Sequence, residues 1–225
     1  MKERKPLFIY DCDGTLQGPP AFVYGAYKAA KLTNLSLQEF KAQCPEKMAL
    51  YPGMDELVRF TFTKGHNVLI SEGWPDEEAC KGLKDLRPFF QDWKFNGEDV
   101  IWGRTPGRYI KASKEIAEGV LDFFDPSVAF IIADSVDDLH FGQILSFCLK
   151  ERYRKNQIEA PVPVVAFMRQ GISSESCLNS EVPVISVQTG GQMKSIIEGW
   201  IKNPKGNKLS HLFEAQKMRA EDLSR

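Results

Sequence analysis

The sequence is poor in the residues that many enzyme mechanisms and metal centres depend on. It holds three histidines, His66, His140 and His211. None lies in an HExxH run, a zinc-ligand spacing or a nucleophile motif, so zinc-hydrolase and Ser-His or Cys-His chemistry have no support. The histidines are expected to be structural or exposed. No Walker lysine loop and no GxGxxG fingerprint occurs, which leaves no nucleotide-binding signature. The five cysteines, at 12, 44, 80, 148 and 177, are odd in number and form no CxxC pair. Free thiols in a reducing compartment are expected rather than a disulfide framework. The formal net charge is -1 and long basic runs are missing, which argues against nucleic acid as the main partner. No apolar run approaches transmembrane length, and Met1-Lys2-Glu3-Arg4-Lys5 leads almost directly into strand-like sequence. Neither a membrane span nor a signal peptide is expected, and the cytoplasm is the default location.

What the chain does contain is the composition of an ordinary globular protein, 43% hydrophobic and 26% charged over 225 residues. Short apolar runs suited to buried parallel strands alternate with segments of helical period, the pattern of an α/β fold. The runs at 7–11, 67–71, 99–102, 128–133, 164–168 and 184–187 read as strands. Segments 54–64, 77–84, 111–123, 139–153 and 192–201 read as helices. Residues 17–50 are too long for a simple connection. With Ala26 to Leu32 and a Ser36-x-x-Glu39 capping box, they suggest two short helices forming a small flap or cap after the first strand. Residues 1–202 are expected to form one core carrying that insertion. Residues 203–225 form a charged helix or tail whose Leu209, Leu212, Phe213 and Met218 make a partial apolar stripe, suited to docking on its own domain or on a partner.

Asp11-Cys12-Asp13-Gly14-Thr15 stands where the run Leu7-Phe8-Ile9-Tyr10 gives way to a glycine turn. Side chains on a strand alternate with period two, so Asp11 and Asp13 can face one pocket while Cys12 points away. At an effective dielectric near 20, two such charges about 4 Å apart repel by roughly 4 kcal/mol. The pair is therefore expected to hold a cation, share a proton, or both.

Four stretches in order resemble the motifs of the haloacid dehalogenase superfamily: Asp11-Cys12-Asp13-Gly14-Thr15-Leu16, then Val68-Leu69-Ile70-Ser71, then a lysine ahead of a helix, then Phe130-Ile131-Ile132-Ala133-Asp134-Ser135-Val136-Asp137-Asp138. The resemblance spans about residues 7 to 200 and implies a three-layer, doubly wound, mainly parallel sheet. It implies that Asp11 is a nucleophile and Asp13 a general acid and base, with Ser71 and Lys111 on the phosphoryl group. It also implies Mg²⁺ held by Asp11, the backbone carbonyl of Asp13, Asp134 and Asp138. Lys114, one turn on, replaces Lys111 if the register shifts. Asp137 replaces Asp138 after a one-residue slip. Ala133 stands where the family often has Gly.

The activity implied is a Mg²⁺-dependent phosphate-monoester hydrolase working through an aspartyl-phosphate. Dehalogenases of the superfamily lack the second carboxylate, so Asp13 favours phosphate chemistry. A phosphomutase of the same fold and a non-catalytic binding module that retains the site are the alternatives. Glu72, Arg104 and Arg108 are candidate substrate contacts, the arginines because they follow a strand on the side where ligands gather in open α/β sheets. A phosphorylated small molecule is the expected partner, a phosphoprotein the other option, and self-association through the insertion or the C-terminal helix a further one.

Overall fold

A computed structural model of the protein describes residues 4–12, 14–18, 34–35, 39, 50–70, 83–100, 111–156, 162–169, 181–203, 209 and 211–212. In chain order the elements are β1 (Lys5–Tyr10), α1 (Met54–Phe62), β2 (His66–Leu69), a 3-10 helix (Lys84–Phe89), β3 (Trp93–Phe95), β4 (Glu98–Val100), α2 (Lys114–Phe123), β5 (Pro126–Ala133), α3 (Val136–Asn156), β6 (Val164–Arg169), β7 (Val184–Val187) and α4 (Gly190–Lys202). Five of the strands form one sheet in the order β2-β1-β5-β6-β7, with every neighbouring pair parallel.

The strand sequences are apolar on both faces because helices cover both faces. Leu7, Ile9, Val68, Ala129, Ile131, Ala166 and Met168 point to one side and pack with Ile116 and Val120 of α2 and Leu145 and Leu149 of α3. Their neighbours Phe8, Tyr10, Leu69, Phe130, Ile132, Val165 and Phe167 point to the other and pack with Leu57 and Val58 of α1 and Met193 and Ile197 of α4. Period-two alternation thus divides each strand between two cores and makes a three-layer α/β/α arrangement. The Phe8 and Phe130 rings stack across the central pair with centroids 5.1 Å apart, an aromatic contact that adds to simple burial.

The chain runs outward from β1 to β2, then crosses to the other side of β1 for β5, β6 and β7. The sequence order therefore switches direction between β1 and β5, and a crevice opens at the carboxyl ends of those two strands. Pairing continues one residue past β1, since Asp11 N donates to Ile132 O at 2.9 Å. This fixes the Asp11 backbone at the floor of the crevice.

Three boundaries depart from the expected ones. The strand anticipated at 99–102 is not a described member of the main sheet. Asn96 and Gly97 both adopt positive φ, 50° and 83°, and this two-residue turn folds β4 back antiparallel onto β3 as a separate hairpin. Trp93 and Phe95 of that hairpin join the core around α2. Helix α2 starts at Lys114 rather than Lys111, because Ser113 is extended and its side chain accepts from Ile116 N. Of the helix anticipated at 77–84, only residues 83 and 84 are described, and Lys84 begins the 3-10 helix.

Most of the insertion lies outside the described residues, but its two ends meet: Gln17 and Leu50 form an antiparallel bridge, and Tyr51 N donates to Leu16 O at 3.0 Å. Of the tail stripe, Leu209 is buried and Leu212 packs against the α1/α4 core; Phe213 and Met218 lie outside the described residues. Cys12 and Cys148 are buried. Among the described residues no helix is long and apolar enough to cross a membrane.

The amino ends of α1 and α4 touch backbone to backbone. Gly190 N donates to Pro52 O at 3.0 Å, and a Cβ on Gly190 would lie 2.2 Å from Gly53 O. Overpacking a rigid backbone contact costs about 1–3 kcal/mol. Gly190→Ala is therefore expected to lower unfolding free energy by about that amount in urea titrations, whereas Gly199→Ala, where no atom lies within 4 Å of the added methyl, should not.

Candidate active site

Three carboxylates meet at the crevice. Asp11 follows β1, Asp134 follows β5, and Asp138 lies in the first turn of α3. One oxygen from each lies within 4.8 Å of the other two. Lys111, in the turn before α2, enters this cluster. Its Nζ donates to Asp11 Oδ1 at 2.8 Å and pairs with Asp138 Oδ1. The Lys111 side chain is 5% exposed and that of Asp11 13%.

Asp138 is aimed by a capping arrangement at the start of α3. Asp138 N donates to Ser135 Oγ at 3.3 Å, Ser135 N donates to Asp138 Oδ2 at 3.2 Å, and Ser135 Oγ donates to the same oxygen at 2.7 Å. This reciprocal pairing is the capping box with Asp in place of the usual Glu. It commits Oδ2 to the helix end and leaves Oδ1 for Lys111. Asp137, the neighbour it had to be distinguished from, is solvent-exposed. Lys114 is 59% exposed and pairs with Glu118 one turn on. Lys111 and Asp138 are thus the members of each pair that sit with Asp11.

Asp134 is held from the loop that follows Asp11. Thr15 Oγ1, fully buried, donates to Asp134 Oδ1 at 3.3 Å. Gly14 has φ +86°, and a Cβ there would lie 2.0 Å from Asp134 Oδ2. Glycine is required twice over: for the left-handed backbone and for the space the carboxylate occupies.

Burial is the largest influence on these groups. It pushes the Asp11 carboxyl up to about 8, against the pull of Lys111 and with repulsion from Asp138 and Asp134 adding to the rise. Asp134 rises to about 6, through burial and then the Asp138 charge, with the Thr15 hydrogen bond, Lys111 and Arg169 opposing. Burial would lower Lys111, but Asp11 and Asp138 outweigh it and hold the ammonium above its ordinary value. The cluster therefore carries more negative charge than its buried lysine neutralises.

Asp13, Ser71, Glu72, Arg104 and Arg108 lie outside the described residues. Arg169, the last residue of β6, and Tyr51 were not anticipated. The Arg169 guanidinium carbon lies 3.3 Å from the centre of the Tyr51 ring, and Nη1 donates to Gly14 O at 3.1 Å and Thr15 O at 3.2 Å. A charged residue ending an apolar strand, Val164-Val165-Ala166-Phe167-Met168-Arg169, was the available signal.

No protein-family model matches the sequence, and no curated protein matches it. Solved structures do match in shape. A candidate haloacid dehalogenase-like hydrolase from Burkholderia xenovorans superposes with a TM-score of 0.54 at 13% identity, covering 88% of this chain and 99% of that one. A haloacid dehalogenase-like family hydrolase from Streptococcus pneumoniae superposes with a TM-score of 0.50 at 16% identity, covering 88% of this chain and 100% of that one. The chain has the haloacid dehalogenase-like fold.

A carboxyl group whose value is raised on folding makes the folded state bind more protons than the unfolded one, so stability falls as pH rises through the interval. For Asp11 that interval runs from the ordinary value of 3.8 to about 8. In chelator-treated protein, Asp11→Asn should therefore melt higher than the wild type at pH 8, and the gap should narrow toward pH 5. A gap independent of pH in thermal melts would contradict the placement of Asp11.

Proposed function

We propose that the protein is a Mg²⁺-dependent phosphohydrolase that cleaves a phosphate monoester through an aspartyl-phosphate on Asp11. The observation that carries this reading is the contact of Lys111 with both Asp11 and Asp138 at the switch point of a haloacid dehalogenase-like fold. The second carboxylate in Asp11-Cys12-Asp13 favours phosphate over halide as the group removed, because an alkoxide leaving group needs a proton and a halide does not.

The residues fit a divalent cation. Hard carboxylate oxygens converge within 4.8 Å, and the lifted Asp11 and Asp134 carboxyls mark an excess of negative charge that a cation relieves. Asp11, Asp134 and the Asp13 carbonyl would hold Mg²⁺, with Asp138, both of whose oxygens already have partners, reaching it through water. Bound there, the ion would offset negative charge on the phosphoryl oxygens.

In the proposed reaction an Asp11 carboxylate oxygen attacks phosphorus in line. The bond to the leaving oxygen breaks, and Asp13 gives that oxygen its proton. Asp13 then takes a proton from water, which attacks the same phosphorus, releases inorganic phosphate and restores Asp11. Lys111 orients Asp11 and favours its ionised form against burial, the bound cation would complete that ionisation, and Ser71 would donate to a phosphoryl oxygen. The substrate is a phosphorylated small molecule, or a phosphoprotein side chain.

The test is phosphate release from an aryl phosphate at neutral pH. Release should require Mg²⁺ and stop on adding chelator. Asp11→Asn should lower kcat about a thousandfold or more, and Lys111→Met about a hundredfold. Undiminished turnover by Asp11→Asn would refute the assignment. Transfer of the phosphoryl group within a sugar phosphate, without release, would indicate a mutase instead.

A further inference from the structure

Arg169 joins three segments that are distant in sequence. It ends β6, where its backbone pairs with Val187 of β7. Its Nη1 reaches across to the carbonyls of Gly14 and Thr15 in the loop after Asp11. Its guanidinium lies against the ring of Tyr51, the residue at which the chain returns from the insertion and bonds back to Leu16. From these contacts we propose that Arg169 is a positioning residue for the nucleophile loop. It sets the loop in the geometry that the reaction uses, by holding the Gly14 and Thr15 carbonyls with Nη1 and Tyr51 with the guanidinium face.

Loop 14–17 also carries bonds of its own. Gly14 N bonds Gln17 O at 2.7 Å, and Leu16 N and Gln17 N both reach Cys12 O. These bonds are internal to the turn and do not fix it relative to the sheet. Thr15 ties it to Asp134 at the end of β5, and Arg169 adds a second tie from a strand two places away from β1. A peptide unit is planar, so fixing the Gly14 and Thr15 carbonyls also fixes the planes carrying the Thr15 and Leu16 amides. It likewise sets the Cα of Thr15, whose hydroxyl holds Asp134.

The residue type matters. Lysine would keep the charge, but a single ammonium cannot lie flat on Tyr51 as the planar guanidinium does while donating to both carbonyls. Tyr51 contributes a face rather than a hydrogen bond to this clamp, and leucine at that position would keep bulk but lose the cation–π attraction.

The kinetic part of the test rests on the phosphohydrolase reading, and the exchange part does not. Arg169→Lys, Arg169→Gln and Tyr51→Leu are compared with wild type by hydrogen exchange and by aryl phosphate turnover in Mg²⁺. In both Arg169 variants the amides of Gly14, Leu16, Gln17 and Tyr51 should exchange at least about tenfold faster, with β5 and β6 amides unchanged as the control for an intact fold. Their kcat should fall about tenfold or more with KM within about threefold, and Tyr51→Leu should shift both readouts in the same direction by less. Wild-type exchange in the loop, or wild-type kcat in Arg169→Lys, would overturn the proposal. A wild type inactive on every phosphate would remove the phosphohydrolase reading, and the exchange result alone would then decide whether Arg169 fixes the loop.

Discussion

The site depends on one buried ammonium. Lys111 Nζ lies between Asp11 and Asp138, and without it three carboxylates would face one another in a crevice where burial already disfavours their charge. At an effective dielectric near 20, each close pair of like charges costs roughly 4 kcal/mol, and an unpaired buried charge costs several more. Lys111 offsets part of this and leaves a remainder. That remainder is what the proposed cation would relieve, and it gathers groups that weaken the fold at one place.

The rest of the structure serves to hold this arrangement. The parallel sheet, filled on both faces, brings the ends of β1 and β5 side by side and so sets Asp11 next to Asp134. Ser113 ends the extended turn that carries Lys111 and starts α2 behind it. The Ser135–Asp138 capping box starts α3 and aims a carboxylate at Lys111 with the same hydrogen bonds. Helix capping and site construction are one set of contacts here. Gly14 lets the loop after Asp11 pass under Asp134, which a side chain at that position would block.

Much of this was legible in the sequence. The apolar runs located the five sheet strands because most of their residues are buried, on both faces in all but the edge strand β7, where Ser186 is exposed, and Asp11 and Asp134 were legible because each ends such a run. The choice between Asp137 and Asp138 was also available locally: Ser135-x-x-Asp138 has capping-box spacing, and only Asp138 can close it. The start of α2 was read three residues early, at Lys111, because the spacing of apolar residues does not mark a cap; Ser113 caps the helix and leaves Lys111 in the turn before it. The hairpin was missed although Asn96-Gly97 is a strong two-residue turn signal, because the apolar run after it also fits a sheet strand. Arg169 carried a local signal as the charge that ends an apolar run, but its contact with Tyr51 was not legible, since it spans residues 51 and 169 and comes into being only when β6 is placed beside β5. No local pattern encodes a meeting of that kind.

The most direct measurement is the crystal structure of the protein soaked with Mg²⁺ and beryllium fluoride, a mimic of the phosphoryl group on an aspartate. The account predicts a beryllofluoride adduct on an Asp11 oxygen, with Lys111 still in contact with Asp11 and Asp138 and the cation beside Asp134. An adduct on another carboxylate, or Mg²⁺ bound away from Asp11 and Asp134, would contradict it.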